Sequence, residues 1–362
     1  MRGTDQVAKS KAGKVYIIVV NFNGSEDTIS CLESLDELKF ENWQVLIVDN
    51  RSTDDSVARL REWLTEKCGR TAISQRSETI QLGPQSGDSQ VSIHGRDIPE
   101  AKQARWPYVL IENEWNCGFA AGNNAAIRYA LERQDGDYFW LLNNDTIVDS
   151  RALGELVAVF EPDEAASVGI GMCGSLLLDF ENRDRIQAFG GATINRLFGV
   201  TRNCLKGLSA GSDTVSQENS VPDYISGCSL LVKSETIDKI GLLNETYFLY
   251  WEDAEWSFRC KQHGLSLAVA PKSRIWHRRG STSRRYPVVG FYNTRNSLRF
   301  FRDYLPSYLL FCIVFKPVVV LAITAKHRNF AFFWESMRGY IEFFREVVGT
   351  SVQRRQRAID KD

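Results

Sequence analysis

The sequence predicts an α/β protein: a mostly parallel sheet flanked by helices, followed by a helical C-terminal extension. Three observations carry that prediction. Short continuous apolar runs rich in β-branched residues recur along the chain, as strands buried on both faces require. Stretches with apolar residues at helical spacing separate them, the alternation that builds a parallel sheet. Polar residues then cluster where these runs end, and open α/β sheets bind ligands at the carboxyl ends of their strands.

Residues 1–14 are polar and read as a flexible N-terminus. The first run, Val15–Val20, leads into Asn21-Phe22-Asn23-Gly24. It is too short for the apolar core of a secretory signal. Ile29, Leu32 and Leu35 then mark a helix with Ser25 as its N-cap. Val45–Val48 is the second strand and ends in Asp49-Asn50. Ser52 caps a helix with Val57, Leu60 and Leu64 on one face, closed by Gly69. Residues 70–106, rich in Ser, Gln, Gly and Arg, break the rhythm and read as a loop-rich insertion, with Gln90–Ile93 as a short strand. The alternation resumes with strand Tyr108–Ile111, helix Gly118–Arg133 and strand Tyr138–Leu142, which ends in Asn143-Asn144-Asp145. Val168–Leu178, Ala188–Val200 and Tyr224–Val232 read as strands, with a turn at Gly190-Gly191. A helix covers Glu252–His263, Leu265–Ala270 is a strand, and the chain from Val288 onward is helical.

The 362 residues suffice for a large core, and 44 Lys and Arg against 45 Asp and Glu give a net charge of −1, unlike a generic nucleic-acid binder. That balance hides an asymmetry: Lys272–Asp362 holds 18 basic and 6 acidic residues, a net +12, which leaves −13 on residues 1–271. A basic end attracts phosphates or anionic headgroups. Eight cysteines without a C-x-x-C pair fit reduced thiols in a cytosolic compartment. Leu305–Ala325 is long and apolar, but Lys316 and Pro317 count against a simple span. A membrane-surface hairpin, or helices packed on the catalytic domain, fits better. In the tail, aromatics beside Arg338, Arg345, Arg354, Arg355 and Arg357 suit an anionic membrane surface or oligomer packing.

Three clusters can carry chemistry. The strand ends Asn21-Phe22-Asn23, Asp49-Asn50, Asn113 and Asn143-Asn144-Asp145 offer a ligand crevice with neither a G-x-G-x-x-G fingerprint nor a Walker A loop. Carboxylates in such a crevice suit Mg²⁺ or Mn²⁺ neutralising a diphosphate. Glu252-Asp253 between Trp251 and Trp256 combines a proton acceptor with rings that stack on sugars; acidic residues in a first helical turn also answer the helix dipole. Trp276-His277-Arg278-Arg279-Gly280-Ser281 pairs a metal-binding imidazole with phosphate-gripping guanidinium groups.

In this order, the clusters resemble glycosyltransferase family 2, inverting nucleotide-sugar enzymes of the GT-A fold, and most of all its bacterial rhamnosyltransferase-like branch. The resemblance covers about residues 15–300, with 301–362 left as a basic, aromatic helical region. It is carried by Val19–Asn23, Val48–Asp54, Asn113–Ala120 with Asn123-Asn124, Leu142–Thr146, Ser226–Leu230, Trp251–Arg259, Trp276-His277 and Tyr292–Asn296. It implies a nucleoside diphosphate sugar donor, with dTDP-L-rhamnose as the leading case, and a glycan or lipid-linked acceptor. Asp49 and Ser52 would meet the base or ribose, with Asn21, Asn23, Asn116, Phe119, Asn144 and Gly227 lining the donor site and Arg279 and Arg295 meeting phosphate or serving structure. Asp145 and His277, helped by Asn143, would hold the cation; Asn143 stands where the family's D-x-D motif has its first Asp. Asp253 would be the general base, with Trp251 stacking on the acceptor and Glu252 binding it. The Trp251–Trp256 stretch also resembles the galactofuranosyltransferase motif, so a UDP-galactofuranose or UDP-hexose donor is an alternative. An inactive assembly protein on the same scaffold is another. The implied workplace is the cytoplasmic face of the cell membrane, in surface polysaccharide synthesis.

Overall fold

The computed structural model describes residues 13–68, 80–82, 108–161, 169–211, 221–278 and 288–359. Strand β1 (Val15–Asn21), helix α1 (Ser25–Asp36), strand β2 (Trp43–Asp49) and helix α2 (Ser56–Cys68) open the chain. Next come β3 (Ile80–Leu82), β4 (Tyr108–Asn113), α3 (Gly118–Glu132), β5 (Tyr138–Asn143) and β6 (Thr146–Val148). After α4 (Ala152–Val157), the middle of the chain forms β7 (Ile170–Asp179), β8 (Ile186–Phe189), β9 (Gly191–Asn195), β10 (Val200–Asn203), β11 (Tyr224–Ile225) and β12 (Ser229–Lys233). Then follow α5 (Ser234–Ile240), α6 (Glu252–Gln262), β13 (Ser266–His277), α7 (Val288–Tyr304), α8 (Pro306–His327) and α9 (Phe330–Ile359).

The main sheet has the order β3-β4-β2-β1-β5-β12-β7-β13-β6, with β8 paired to β7. From β3 to β5 every pair is parallel. Beyond β5 the sheet turns mixed: β12 runs antiparallel to β5 and β7, and β6 runs antiparallel to β13. Alternate residues of the parallel strands feed two cores. Ile17, Val19, Ile47, Trp140 and Leu142 pack with Leu32, Leu35 and Leu60 of the first two helices. Ile18, Val48, Phe139 and Leu141 pack with Ala126 and Ile127 of α3 and Trp256 of α6. Each fully buried side chain of this kind stabilises the fold by about 1.5–3 kcal/mol. A third, aromatic cluster joins Tyr247 and Trp251 to Phe300, Phe301 and Phe343, so the C-terminal helices pack on the segment that leads into α6.

Several expected elements differ in detail. Gly13 and Lys14 belong to the folded body: Lys14 donates its backbone N–H to Asp137 and its ammonium to Asp135. Ser25 is the first residue of α1, and Gly24 holds the cap position. Ser52 caps nothing, because its hydroxyl is taken by Asp49; the next helix starts at Ser56, whose N–H donates to Asp54. Three residues of the expected loop-rich insertion, 80–82, form an edge strand on β4; Gln90–Ile93 and Gly69 lie outside the described residues. Ala188–Val200 breaks at Gly190, whose φ of +67° a side chain disfavours, and Tyr224–Val232 breaks at the Ser226–Cys228 turn. The boundary expected at residue 300 falls within α7. The described cysteines are free thiols.

Candidate active site

The carboxyl ends of β1, β2, β4 and β5 lie side by side because these strands run parallel and in register, Asn21 opposite Asp49 and Val20 opposite Asn143. Asn21, Asp49 and Ser52 close a hydrogen-bond cycle. Asn21 Nδ2 donates to Asp49 Oδ2 at 2.7 Å, Ser52 Oγ donates to the same oxygen at 2.6 Å, and the Ser52 N–H donates to Asp49 Oδ1 at 2.8 Å. Asp49 is 1% exposed, and three of its roughly four acceptor positions are filled. It therefore organises the turn from beneath and leaves the more open surface to Ser52 and Asn23. Asn23, at φ +52°, is itself locked: its Oδ1 accepts from the Thr53 N–H at 2.7 Å.

The next wall comes from the start of α3. Asn50 Nδ2 donates to Gly118 O, Asn113 donates to Asn50 Oδ1, and Asn116 Oδ1 accepts the Gly118 N–H. Gly118 has φ +82°, and a Cβ there would lie 2.4 Å from Phe248 O. Only glycine allows the Phe119 N–H to reach that carbonyl, at 2.7 Å. The Phe119 ring in turn lies against Gly227, where a Cβ would meet its Cε1 at 3.1 Å. Asn144 faces α1 instead, donating to Thr28 Oγ1 at 2.9 Å.

β6 and β13 pair antiparallel with His277 opposite Thr146, which brings the imidazole to the neighbouring Asp145. His277 Nε2 lies 3.1 Å from Asp145 Oδ1, and Asp145 is 8% exposed. Gln187 fixes the ring: its Oε1 lies 3.0 Å from His277 Nδ1, and its Nε2 donates to His277 O at 2.8 Å. Burial disfavours the imidazolium, but the Cys228 thiol and the Asp145 carboxylate beside it outweigh burial and hold the His277 pKa well above its ordinary value. Gln187 carried no sequence signal, and Cys228 lay within the Ser226–Leu230 motif without a role of its own; both are placed here by strand pairing across the sheet.

Cys228 also links the two acidic poles. Its carbonyl accepts the Asn143 N–H at 3.0 Å, its thiol lies beside His277, and its neighbour Gly227 donates a backbone N–H to Asp253 Oδ2 at 3.0 Å. Asp253, 108 positions beyond Asp145 in the chain, thus bonds Gly227 directly, while Asp145 reaches the next residue, Cys228, only through His277. Asp253 Oδ1 accepts from the Ala254 N–H at 2.8 Å. Burial raises the Asp253 carboxyl to about 6, against the pull of the Gly227 and Ala254 amides. Beside it Glu252 is 5% exposed, and its Oε2 has no hydrogen-bond partner among the described residues. Burial first, and the Asp253 charge second, hold the Glu252 carboxyl well above its usual range.

The segment delivering these carboxyls is strained. Phe248 sits at φ +63°, ψ −59° in a γ-turn closed by Leu249 N–H to Tyr247 O, and Tyr250 and Trp251 are also left-handed. Fully buried Asn296 of α7 holds it, donating Nδ2 to the carbonyls of Tyr247, Leu249 and Tyr250 at 2.7–2.9 Å.

The contacts bear on three expected roles, and that of Trp251 changes. Trp251 is 5% exposed and packs on Phe300 and Phe301, so its ring supports the loop and is not open to an acceptor. Arg295 donates to Thr246 O and Tyr247 O and stacks on Phe291 and Tyr292, contacts of the structural kind that was one of its two expected roles. Asn143 contributes backbone bonds to Cys228 and Thr146; no described contact of its side chain supports a metal ligand. Arg279 lies outside the described residues.

No group of three Asp, Glu, His or Cys side chains able to hold a metal forms among the described residues. The fit for a divalent cation rests on the facing carboxylate and imidazole of Asp145 and His277, with remaining coordination open to ligand oxygens. That donor set suits Mn²⁺ or Mg²⁺ on a diphosphate.

Sheet order, helical layers and the paired poles define a GT-A glycosyltransferase. Two solved structures share the fold. A mannosyltransferase from Pyrobaculum calidifontis, in complex with GDP-Man and Mn²⁺, is 13% identical with a TM-score of 0.51, over 92% of this chain and 86% of that one. GalNAc-T7, solved with UDP, GalNAc and Mn²⁺, is 13% identical with a TM-score of 0.54, over 81% of this chain but 48% of that one. The profile of "Glycosyltransferase like family 2" matches residues 101–288, just over half of the chain, and that of "Glycosyl transferase family 2" matches residues 16–79. The chain belongs to glycosyltransferase family 2 and is a transferase. Among its relatives, the dTDP-rhamnosyl transferase RfbF of Shigella flexneri is 21% identical over 87% of this chain and 90% of its own length. The hexosyltransferase Agl10 of low-salt glycan biosynthesis in Haloferax volcanii is 21% identical over 73% and 67%. The rhamnosyltransferase WbbL of Escherichia coli K12 is 24% identical over 44% and 60%.

Proposed function

We propose that the chain moves L-rhamnose from dTDP-L-rhamnose, with inversion, onto a hydroxyl of a glycan or lipid-linked acceptor in bacterial surface polysaccharide synthesis. RfbF, matched over nearly its whole length, supports the donor choice. The observation that carries the chemistry is that Asp253 bonds Gly227, while Asp145 pairs with His277, whose ring lies beside the adjacent residue Cys228. One pole suits a leaving diphosphate and the other an incoming alcohol.

Asp253 accepts the acceptor's hydroxyl proton while that oxygen bonds to the anomeric carbon and the bond from this carbon to the diphosphate oxygen breaks. The products are an inverted glycoside and a nucleoside diphosphate. One displacement suffices, so no enzyme nucleophile is needed. A carboxyl raised to about 6 is ionised at neutral pH and still basic enough to take a proton. Asp145 and His277 would hold a Mg²⁺ or Mn²⁺ ion, which would supply charge neutralisation for the departing diphosphate. Ser52 and Asn23 would face the base or ribose, with Asn116, Phe119 and Gly227 along the sugar side. The catalytic unit would run from residue 15 through the end of α7 at Tyr304, with the remaining helices appended at the cytoplasmic face of the membrane.

A second donor class, UDP-galactofuranose or a UDP-hexose, is favoured by the Trp251–Trp256 sequence and by the hexosyltransferase relative. Thermal-shift and transfer assays with dTDP-rhamnose, UDP-galactofuranose, UDP-galactose, UDP-glucose and GDP-mannose, each with Mn²⁺ and with EDTA, decide between them. The proposal expects dTDP-rhamnose to give the largest Mn²⁺-dependent shift and an inverted product. A larger response to another donor replaces the sugar, and no donor response at all supports an inactive scaffold.

A further inference from the structure

Helix α8 is built inside out. The stripe it turns to the protein is Cys312, Lys316, Val320 and Thr324, which includes its only charged residue before the last turn. The face it turns outward is apolar: Leu310, Val314, Val318 and Leu321 are each more than half exposed. A helix on a water-facing surface shows the opposite arrangement. Its mean hydropathy reaches 2.3 over a window only 22% buried. The tip of the β9–β10 hairpin extends the patch, with Leu197 and Phe198 exposed and the Phe198 ring 5.5 Å from that of Phe315.

The flanks are cationic. Lys326 and His327 close α8, and Arg328 follows. On α9 the outward residues Trp334, Ile341 and Val348 alternate with Arg338 and Arg345, whose side chains are 68% and 75% exposed. Among the described residues each of these arginines forms an ion pair with an acid one turn back on its own helix, Glu335 and Glu342, and exposed pairs of that kind are weak. Arg338 also lies 6.0 Å from the Phe291 ring. Apolar surface with an interfacial Trp and flanking Arg is the chemistry of the headgroup boundary. A second copy would meet the patch with the same positive charge.

We infer that the outer face of α8, the α9 stripe and the β9–β10 tip form one surface that lies in the plane of an anionic bilayer leaflet. The helix does not cross the leaflet. Lys316 at mid-helix donates to Gly199 O at 2.8 Å, and Tyr340 OH donates to Ile313 O at 3.1 Å, so one long side of α8 is held against protein. Gly199, at φ +60°, permits that closeness, since a Cβ would meet Cys312 Sγ at 2.2 Å. The docked face carries the basic end of the chain and turns the acidic body to the solvent. This surface deepens the lipid-linked-acceptor part of the proposed function and does not depend on the donor sugar.

Flotation of the full chain with phosphatidylcholine vesicles, with and without about one third phosphatidylglycerol, tests it. The wild type is expected to float with anionic vesicles and much less with neutral ones. Leu310→Gln/Val314→Gln/Val318→Gln is expected to weaken binding at least about tenfold. Arg338→Gln/Arg345→Gln, which leaves the apolar face intact, is expected to weaken binding to anionic vesicles by about fivefold per residue and to reduce its salt sensitivity. A wild type that stays unbound, variants that float as it does, or light scattering showing a dimer that the triple variant dissociates would overturn the inference. Donor binding measured on the same preparations separates the two proposals: lost vesicle binding with intact donor binding removes only this one, and the converse removes only the transfer assignment.

Discussion

At the carboxyl ends of β1 and β2, Asn21, Asp49 and Ser52 of the following turn satisfy one another in a closed hydrogen-bond cycle. At the start of α6, Glu252 buries a carboxyl oxygen without a described partner, and just before it Phe248, Tyr250 and Trp251 hold left-handed backbones. The first arrangement is relaxed and rigid, suited to recognising a ligand that does not change. The second stores strain of roughly 1–3 kcal/mol per residue, and the surrounding packing must over-determine it. Strain of this kind collects where a group must be presented in a state it would not otherwise adopt, here a carboxyl raised out of its usual range.

The sharpest way to break the comparison is to neutralise the base. Asp253→Asn should lower kcat by about 10²–10⁴-fold and leave donor affinity nearly unchanged, read by transfer assay and calorimetry. Normal turnover would reassign the base. Asp145→Ala attacks the other pole and should weaken Mn²⁺-dependent donor binding by about 100-fold or more; a donor titration that EDTA does not alter would count against a metal site there. Asn296→Ala removes the clamp on the strained segment. It should cost about 1–3 kcal/mol of stability and lower kcat about 10- to 100-fold through misplacement of Asp253, with Asn296→Ala donor affinity intact.

Smaller effects sharpen the same contrast. With Asp253 raised to about 6, kcat should rise with pH up to about 6 and level off above it, because only the carboxylate accepts the proton. Asp253→Asn should lose that limb along with its rate. Glu252 is the mildest case. A folded-state pKa above the unfolded one means that stability is lost as pH rises from the unfolded value of about 4.3 through the folded one. Glu252→Gln cannot ionise, so its melting temperature should exceed that of the wild type by a few degrees at pH 8 and by less at pH 5, a difference read by calorimetry.

Local signals made much of the molecule legible before its structure. Val15–Val20, Val45–Val48 and Tyr138–Leu142 announce buried parallel strands by composition alone, and their polar ends become neighbours because parallel register leaves no alternative. The family resemblance brought Asp145 and His277 together as partners, and they lie 3.1 Å apart. What stayed hidden depends on long-range contacts. Ser52 looks like a helix cap until Asp49 claims its hydroxyl. Trp251 looks like a stacking platform until Phe300 and Phe301 cover it. Asn296 lies within a recognisable motif, yet nothing in that motif tells that its amide gathers three carbonyls from a loop more than 40 residues earlier.

The central claim is that one cavity holds the cation pole and the base pole on either side of the reacting carbon. A crystal of the Asp253→Asn protein with Mn²⁺ and dTDP-rhamnose, phased for the anomalous signal of manganese, tests this most directly. A manganese peak between Asp145 and His277, with the anomeric carbon turned toward residue 253, is the expected result. Manganese elsewhere, or a donor sugar pointing away from residue 253, would contradict it.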